Sequence, residues 1–352
     1  MTLTPRERVD AILRHRPADH VPFTCYESKL PTCSVERELR NRGLCVIERR
    51  IGVHSVETPN ARTVEVKEGD KTTTFRRTPF GTLRSVFVSA PGTAWCMEYP
   101  FKSPDDYKRL QFIYRDARVR TDYDAFLKAK ERLGEDVFMR PAIHYSPLQF
   151  VCYSVMGVET FCYEWAERAD EILRLCDTVA ELRRKEYLAV AKGPADTINY
   201  GGNVCPEVMG LERYEKYIAP HYEEAAEVLH RHGKLIGVHF DANTRLLARA
   251  IARSSLDYIE AFTPPPDCDL PLAEALAAWP DKTLWINFPS SVHLASRERI
   301  ADAMRALLRE AGTGERLIVG ITEDVPEDRW QESFLAITEV LNSEGTLPLR
   351  LT

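Results

Sequence analysis

A regular alternation of apolar runs and helical stretches, from Val137 to the end of the chain, constrains the fold most. The six runs that fit buried strands are Phe138–His144, Thr197–Tyr200, Leu235–Phe240, Tyr258–Phe262, Thr283–Phe288 and Leu317–Ile321. Two earlier runs, Val21–Cys25 and Leu44–Glu48, raise the count to eight. Strand–helix alternation implies parallel βαβ units, and eight strands close an α/β (β/α)8 TIM barrel. A doubly wound open sheet is the alternative, but no glycine-rich phosphate turn follows any of these runs.

Two further segments complete the predicted organisation. Thr4, Pro5 and Glu7 form a capping-box pattern, which predicts an N-terminal helix that ends near residues 14–15. Residues 58–90 alternate and turn at Gly69, as in a β-hairpin or meander. Because about thirty residues seldom hold a core of their own, we expect 58–90 to be an insertion in a single domain spanning 1–352.

Composition argues against several classes of protein. The chain has 47 basic and 53 acidic residues and a net charge of -6, which lacks the basic footprint of a nucleic-acid binder. No apolar run approaches the roughly 18 residues of a membrane span, and the charged first residues do not resemble a signal peptide. The nine cysteines form no CxxC pair, which is typical of reduced thiols. We therefore expect a cytoplasmic protein without a nucleic-acid or membrane partner.

Polar side chains lie at the ends of most predicted strands, and a parallel barrel gathers those ends at one mouth. Three of them carry acid–base groups suited to catalysis: Glu27, His144 and Glu260. Four have hydroxyl or amide groups suited to substrate binding: Tyr26, Tyr200, Asn203 and Asn287. Glu260 lies within an apolar run, where an unpaired carboxylate would be costly, so it must meet a cation, a ligand or a base.

His239 and Asp241 stand two apart and face the same way on a continuing strand. Such a pair can ligate a divalent cation together with a carboxylate from another strand. In the alternative interpretation, Asp241 caps a helix over 243–253 and His239 is a hydrogen-bonded barrel residue. Cys205 is either a soft ligand or nucleophile, or a small buried thiol.

Several segments, in their order, resemble the uroporphyrinogen decarboxylase superfamily. They are Thr4–Val9, Arg16–Pro22, Cys205–Glu207, Tyr214–Pro220 and His232–His239. The resemblance covers nearly the whole chain and implies a single TIM barrel, often a homodimer. It implies either tetrapyrrole decarboxylation or, in the other large branch, zinc-dependent methyl transfer that involves corrinoid proteins or thiols.

Departures from the family patterns favour the second branch. The decarboxylase carries an arginine-rich stretch just after the Val-Pro, whereas Phe23–Pro31 contains no arginine and places Glu27 there. The methyltransferase branch typically binds zinc through His-x-Cys and a later Cys. By position His239 matches, Asp241 replaces the first Cys, and Glu323 lies near the second. Carboxylates thus replace the thiolates. Glu323 is alternatively a capping carboxylate before Pro326.

The sequence therefore predicts a metal-dependent methyltransferase that passes a methyl group from a small-molecule donor to a corrinoid protein. The expected metal is a divalent cation, with zinc as the first choice, held by His239, Asp241 and Glu323. Glu260 is the reserve ligand or the group that orients His239. Nothing in the chain resembles a cobalamin-binding domain, so the corrinoid belongs to a partner. The alternatives are a decarboxylase or lyase of a small organic acid and a non-catalytic small-molecule binding protein.

Overall fold

The computed structural model describes residues 2–90 and 93–350. The strands, in chain order, are β1 Phe23–Tyr26, β2 Leu44–Glu48, β3 His54–Glu57, β4 Arg62–Glu68, β5 Lys71–Thr78, β6 Gly81–Ala90, β7 Thr93–Glu98, β8 Arg118–Thr121, β9 Val137–Met139, β10 Ala142–Ile143, β11 Thr197–Gly202, β12 Leu235–His239, β13 Tyr258–Phe262, β14 Thr283–Asn287 and β15 Leu317–Ile321. The α-helices are α1 Pro5–Leu13, α2 Ser34–Asn41, α3 Asp106–Asp116, α4 Tyr123–Arg132, α5 Pro147–Phe150, α6 Val158–Ala191, α7 Pro206–Arg213, α8 Ala219–His230, α9 Ala248–Ala252, α10 Leu272–Ala278, α11 Arg297–Glu310 and α12 Trp330–Glu344. Within these described residues, no helix has both the length and the apolarity needed to cross a membrane.

Nine of the strands form one parallel sheet in the order β10-β11-β12-β13-β14-β15-β1-β2-β9. Its two end strands, β9 and β10, are consecutive halves of one strand that is interrupted at Arg140 and Pro141. β9 pairs with β2 and β10 pairs with β11, so the ring closes through the broken strand. The break itself is tied on both sides: Arg140 N–H donates to Glu48 O at 2.9 Å, and Asn199 N–H donates to Pro141 O at 3.1 Å. The predicted TIM barrel is confirmed.

Helix α1 closes the amino-terminal end of the barrel. It begins with the predicted capping box, in which Thr4 Oγ1 accepts from Glu7 N–H and the Glu7 carboxylate accepts from Thr4 N–H. Its apolar side chains Val9, Ile12 and Leu13 are buried against the inward-facing side chains of the barrel strands. Those partners are Tyr26, Cys45, Ile47, Phe138, Tyr258, Trp285 and Ile318. Apolar side chains therefore close the amino-terminal end of the barrel, and a site open to ligands is expected at the carboxyl end.

The insertion between β2 and β9 contains more strands than the sequence predicts. Strands β4 to β7 form a four-stranded antiparallel sheet in the order β4-β5-β6-β7, and β3 pairs with β8 in a separate two-stranded antiparallel sheet. The predicted hairpin over 58–90 thus omits β7. In β7, Ala94–Met97 is an unbroken apolar run, so the apolar–polar alternation that marks a half-buried strand in sequence is absent, and Trp95 and Met97 are exposed.

Candidate metal centre and active site

The three side chains that the sequence predicts as metal ligands lie together at the carboxyl end of the barrel. One potential ligand atom from each of His239, Asp241 and Glu323 lies within 4.8 Å of the other two. His239 ends β12, Asp241 follows two residues later, and Glu323 follows β15. All three are only partly buried, so a ligand can approach from the mouth. An imidazole with two carboxylates is a donor set that suits a divalent cation.

The Asp241 carboxylate is close enough to Glu323 to affect the protonation of Glu323. Burial, and after it the neighbouring Asp241 carboxylate, raises the pKa of Glu323 to about 7. Carboxylates that share a site cannot both ionise freely, and a bound cation removes that conflict. The residues present therefore fit a divalent metal ion.

Residues of neighbouring strands hold the Asp241 carboxylate and the backbone just before Glu323. Thr263, just beyond β13, donates its hydroxyl hydrogen to Asp241 Oδ1 at 2.6 Å. Asn287 Oδ1, at the end of β14, accepts from Thr322 N–H at 3.0 Å, directly before Glu323. Neither carboxylate caps a helix: the segment after Asp241 is a 3-10 turn from Arg245 to Leu247, and α12 begins only at Trp330. The capping alternatives raised by the sequence do not hold.

A fully buried carboxylate lies beneath His239. Glu260 Oε2 is 2.8 Å from His239 Nδ1, and Glu260 Oε1 is 3.1 Å from the Arg140 guanidinium. The Tyr26 hydroxyl donates to the same Oε1 atom. Burial alone would raise the pKa of Glu260, but Arg140 and then His239 hold it at about 2. Although burial opposes the imidazolium, Glu260 raises the pKa of His239 above its usual value.

This contact fixes which nitrogen of His239 is available. Because Nδ1 bonds to Glu260, Nε2 is left for a ligand, as in the carboxylate–histidine pairs that support metal sites. Glu260 accepts from three donors and has no exposed surface, so it is placed to orient His239 rather than to touch substrate. Of the roles that the sequence allows for Glu260, this geometry favours the orienting one.

The loop after β11 lies directly against His239. Asn203 N–H donates to His239 O at 2.6 Å, and Asn203 adopts a left-handed φ of 53°. Ala261, next to Glu260, has a φ of 55°. Left-handed residues other than glycine carry backbone strain, and two of them flank the His239–Glu260 pair. His144 ends the neighbouring strand, where its ring packs on Tyr145 and its Nδ1 accepts from Tyr145 N–H at 2.7 Å.

Other predicted site residues are placed differently from expectation. Tyr200 points away from the barrel axis, since its hydroxyl lies 2.6 Å from that of Tyr187 in α6 and its ring packs on Tyr222 in α8. Ile198 and Tyr200 share one face of β11, so Asn199 is the inward residue that the sequence interpretation overlooked. Asn287 keeps its inward position, but it is almost fully buried and one of its two polar atoms is used by Thr322.

Glu27 is engaged by an arginine that the sequence analysis did not consider. Its carboxylate accepts from Arg49 Nε at 3.1 Å and from Arg49 Nη2 at 3.3 Å. The Arg49 guanidinium lies 3.3 Å over the ring of Tyr26 and remains partly exposed. The absence of arginine from Phe23–Pro31 therefore does not leave Glu27 without a basic partner, because Arg49, directly after β2, supplies one.

Arg140 is the second residue that the sequence interpretation missed. It lies in the break between β9 and β10, is 1% exposed, and packs over Trp285 while it pairs with Glu260. A signal was present: Arg140 stands two residues after the inward Phe138, so strand alternation places its charge inside the barrel. An inward arginine requires an inward carboxylate, and Glu260 is that partner.

Cys205 has no sign of activation. Its thiol donates to Glu207 Oε2 at 3.0 Å, and Glu207 also accepts from Asn243. Burial and the Glu207 carboxylate raise the pKa of Cys205, which disfavours the thiolate needed for a ligand or nucleophile.

Comparisons with known proteins agree with this architecture. The "methyltransferase from Methanosarcina mazei" superposes with a TM-score of 0.60 at 13% identity, over 97% of this chain and 99% of that one. The endo-1,4-beta-mannanase from Rhizomucor miehei gives a TM-score of 0.42 at 10% identity over 92% and 95% of the two chains. No curated protein matches the sequence.

The family model described as "Uroporphyrinogen decarboxylase (URO-D)" matches residues 87–342, which is more than two thirds of the sequence. The match contains β9 to β15 and all three candidate metal ligands, His239, Asp241 and Glu323. The chain belongs to the uroporphyrinogen decarboxylase family.

Proposed function

We propose that the protein is a metal-dependent methyltransferase that moves a methyl group from a small-molecule donor to a corrinoid protein. The observation that carries the proposal is the grouping of His239, Asp241 and Glu323 at the open end of the barrel. Family membership and the fold shared with a methyltransferase support it. The metal is a divalent cation, and zinc is the first candidate because it accepts nitrogen and carboxylate ligands.

Each residue of the site has a separate task in this proposal. A cation held by His239, Asp241 and Glu323 would supply Lewis-acid activation of the heteroatom that bears the methyl group. Glu260 keeps His239 Nδ1 occupied and so directs Nε2 to the ligand position. Arg140 and Tyr26 keep Glu260 ionised and fixed beneath the imidazole.

Buried polar atoms without a hydrogen-bond partner indicate where the polar end of the methyl-donor substrate binds. Arg140 Nε and Nη1, Asn199 Oδ1, Asn287 Nδ2 and Thr322 Oγ1 have no hydrogen-bond partner among the described residues. Strand alternation places Asn199 and Asn287 on the inside of the barrel, the side on which Arg140 meets Glu260. Unsatisfied buried polar groups are costly unless water or a ligand completes them. We propose that the polar end of the methyl-donor substrate binds these four residues, with Asn203 and His144 at the edge of the binding site.

The acceptor in this proposal is the corrinoid of a separate protein, and the protein works in the cytoplasm, where its nine free cysteines would stay reduced. We also propose that the protein forms a homodimer, because the family that it resembles is often dimeric.

The test measures metal content and methyl transfer in one set of variants. The purified chain is expected to hold about one divalent cation by elemental analysis and to melt at a higher temperature when Zn²⁺ is added. With free cob(I)alamin in place of the corrinoid protein, a panel containing a methyl ether, a methylamine and a methyl thioether is screened for formation of methylcob(III)alamin. Asp241→Asn and Glu323→Gln should lose both metal and transfer.

Asp324→Asn is the matched control. Asp324 follows Glu323 directly but is exposed and pairs with Lys29 at 2.6 Å outside the cluster. This variant should keep its metal and its transfer rate. A wild-type protein that holds no metal, and whose melting temperature is unchanged by Zn²⁺, Mn²⁺ or Fe²⁺, would contradict the proposal.

A second function is favoured by one observation, the partly exposed Arg49 guanidinium over Tyr26. Together with Arg140 it supplies the cations that a decarboxylase or lyase of a small organic acid needs for the substrate carboxylate. Release of CO2 from a small acid, abolished in Arg49→Gln but retained in metal-free protein, would favour this function over methyl transfer.

A further inference from the structure

The break in the barrel strand opens a seam at the end opposite the candidate active site. β9 pairs only with β2, and the pairing with β11 begins at Ala142 and Asn199. Residues 137–139 and 195–197 therefore face each other without strand pairing between them. A cavity of about 860 Å³ occupies this gap and extends between α1 and α4. We call it the seam cavity.

The floor of the seam cavity is apolar and deep. The apolar side chains that line it include Ala11, Phe126, Leu133, Val137, Phe138 and Met139. Thr197 also lines it, is 1% exposed, and its Oγ1 has no hydrogen-bond partner among the described residues. A volume within the usual 300–1,000 Å³ of ligand pockets, a mainly apolar lining and a few polar groups are the features of a small-molecule site.

The rim of the cavity carries excess positive charge. Its lining contains the cations Arg6, Arg14, Arg16 and Lys130 but only the acids Glu7, Asp10 and Asp196. Arg14 and Arg16 both pair with the single carboxylate of Asp10, and His15 between them adopts a left-handed φ of 51°. Two guanidiniums that share one counter-charge keep donors for a second anion.

We propose that the seam cavity binds a medium-chain organic carboxylate. The alkyl body fills the seam between β9 and β11, and the carboxylate head lies at Arg14 and Arg16. The site is separate from the candidate metal centre, because α1 seals the end of the barrel at which it lies. It therefore does not depend on the proposed methyl transfer.

Titration calorimetry with hexanoate, octanoate, decanoate and octan-1-ol tests this proposal on the full chain. Affinity should rise about fourfold for each added methylene until the cavity is filled, because each buried methylene contributes a fixed increment. Octan-1-ol, which has the same chain without the charge, should bind about tenfold more weakly than octanoate.

Two variants locate the binding. Arg14→Gln/Arg16→Gln removes the head contacts, and Leu133→Trp fills part of the cavity with a larger side chain. Both should weaken octanoate binding about tenfold or more. The control Arg305→Gln should not, because Arg305 lies on α11 in an exposed ion pair with Glu344 of α12. Absence of saturable binding, equal affinity for octan-1-ol, or binding unchanged in both site variants would each overturn the proposal. Circular dichroism confirms that each variant is folded.

Discussion

At the residue scale, the raised pKa of Glu323 predicts a specific pH dependence of the metal-free protein. Its folded pKa of about 7 lies above the ordinary value of 4.5. The folded state therefore holds an extra proton between these values, and the resulting stabilisation is lost as pH rises from about 5 to 7. Zinc affinity should rise over the same range, because the cation replaces that proton.

Chemical denaturation of metal-free protein at several pH values measures this effect, and Glu323→Gln should flatten the difference between pH 5 and 7. The pKa of His239 is also raised, chiefly by Glu260 and to a smaller extent by Glu323. Most of its contribution is therefore present in both proteins, and only the difference between variant and wild type is diagnostic. Identical pH profiles would show that Glu323 does not hold the proton.

The buried Arg140–Glu260 pair gives a second prediction at this scale. Glu260→Gln leaves the Arg140 charge unpaired in an apolar interior and should lower the free energy of unfolding by roughly 3–5 kcal/mol. The double variant Glu260→Gln/Arg140→Met removes the stranded charge and should recover part of that loss. Urea denaturation measures both variants, and costs that simply add would contradict a direct pair.

At the scale of elements, α1 stabilises the fold through its buried apolar face, which covers the amino-terminal end of the barrel. Ile12→Ala should lower the free energy of unfolding by about 2–5 kcal/mol, because it opens a cavity beneath the barrel strands. Leu127→Ala on the exposed face of α4 is the control and should change stability by less than about 0.5 kcal/mol. Equal effects of the two substitutions in denaturant titrations would mean that α1 does not seal the barrel.

The contact between β11 and β12 predicts the effect of a single methyl group. A Cβ on Gly202 would overlap the Cβ of His239 and lie 2.8 Å from its carbonyl oxygen. Gly202→Ala should therefore displace His239 and weaken zinc binding about 10- to 100-fold. Gly233→Ala, at a left-handed turn with open space around it, is the control: it should cost stability but leave zinc affinity unchanged. Calorimetric zinc titration separates the two results.

At the scale of the whole molecule, the barrel should exchange its amide hydrogens unevenly. Strands β12 to β15 are consecutive and almost wholly buried, so their amides should exchange slowest. Residues 137–139 and the exposed strand β4 should exchange much faster, since the former border the seam and the latter faces solvent. Hydrogen exchange followed by mass spectrometry measures this, and rapid exchange throughout two of the four strands would contradict the order of stability.

The sequence by itself determined the barrel and most of the candidate site at its mouth. The barrel follows from local periodicity, because apolar runs define the strands and parallel strands bring their carboxyl ends, with His239 and Asp241, to one mouth. The choice of Glu323 as the third candidate ligand rests on the family resemblance, and the structure places it within 4.8 Å of the other two. Only the tertiary structure decided which partners the polar residues have. Arg140 meets Glu260 and Arg49 meets Glu27 across different strands, while Tyr200 turns to the helices. The break at Pro141 has a local signal, because proline cannot donate a hydrogen bond within a sheet. Pairing between side chains of different strands depends instead on how strands far apart in sequence come together in the barrel, which no single local run shows.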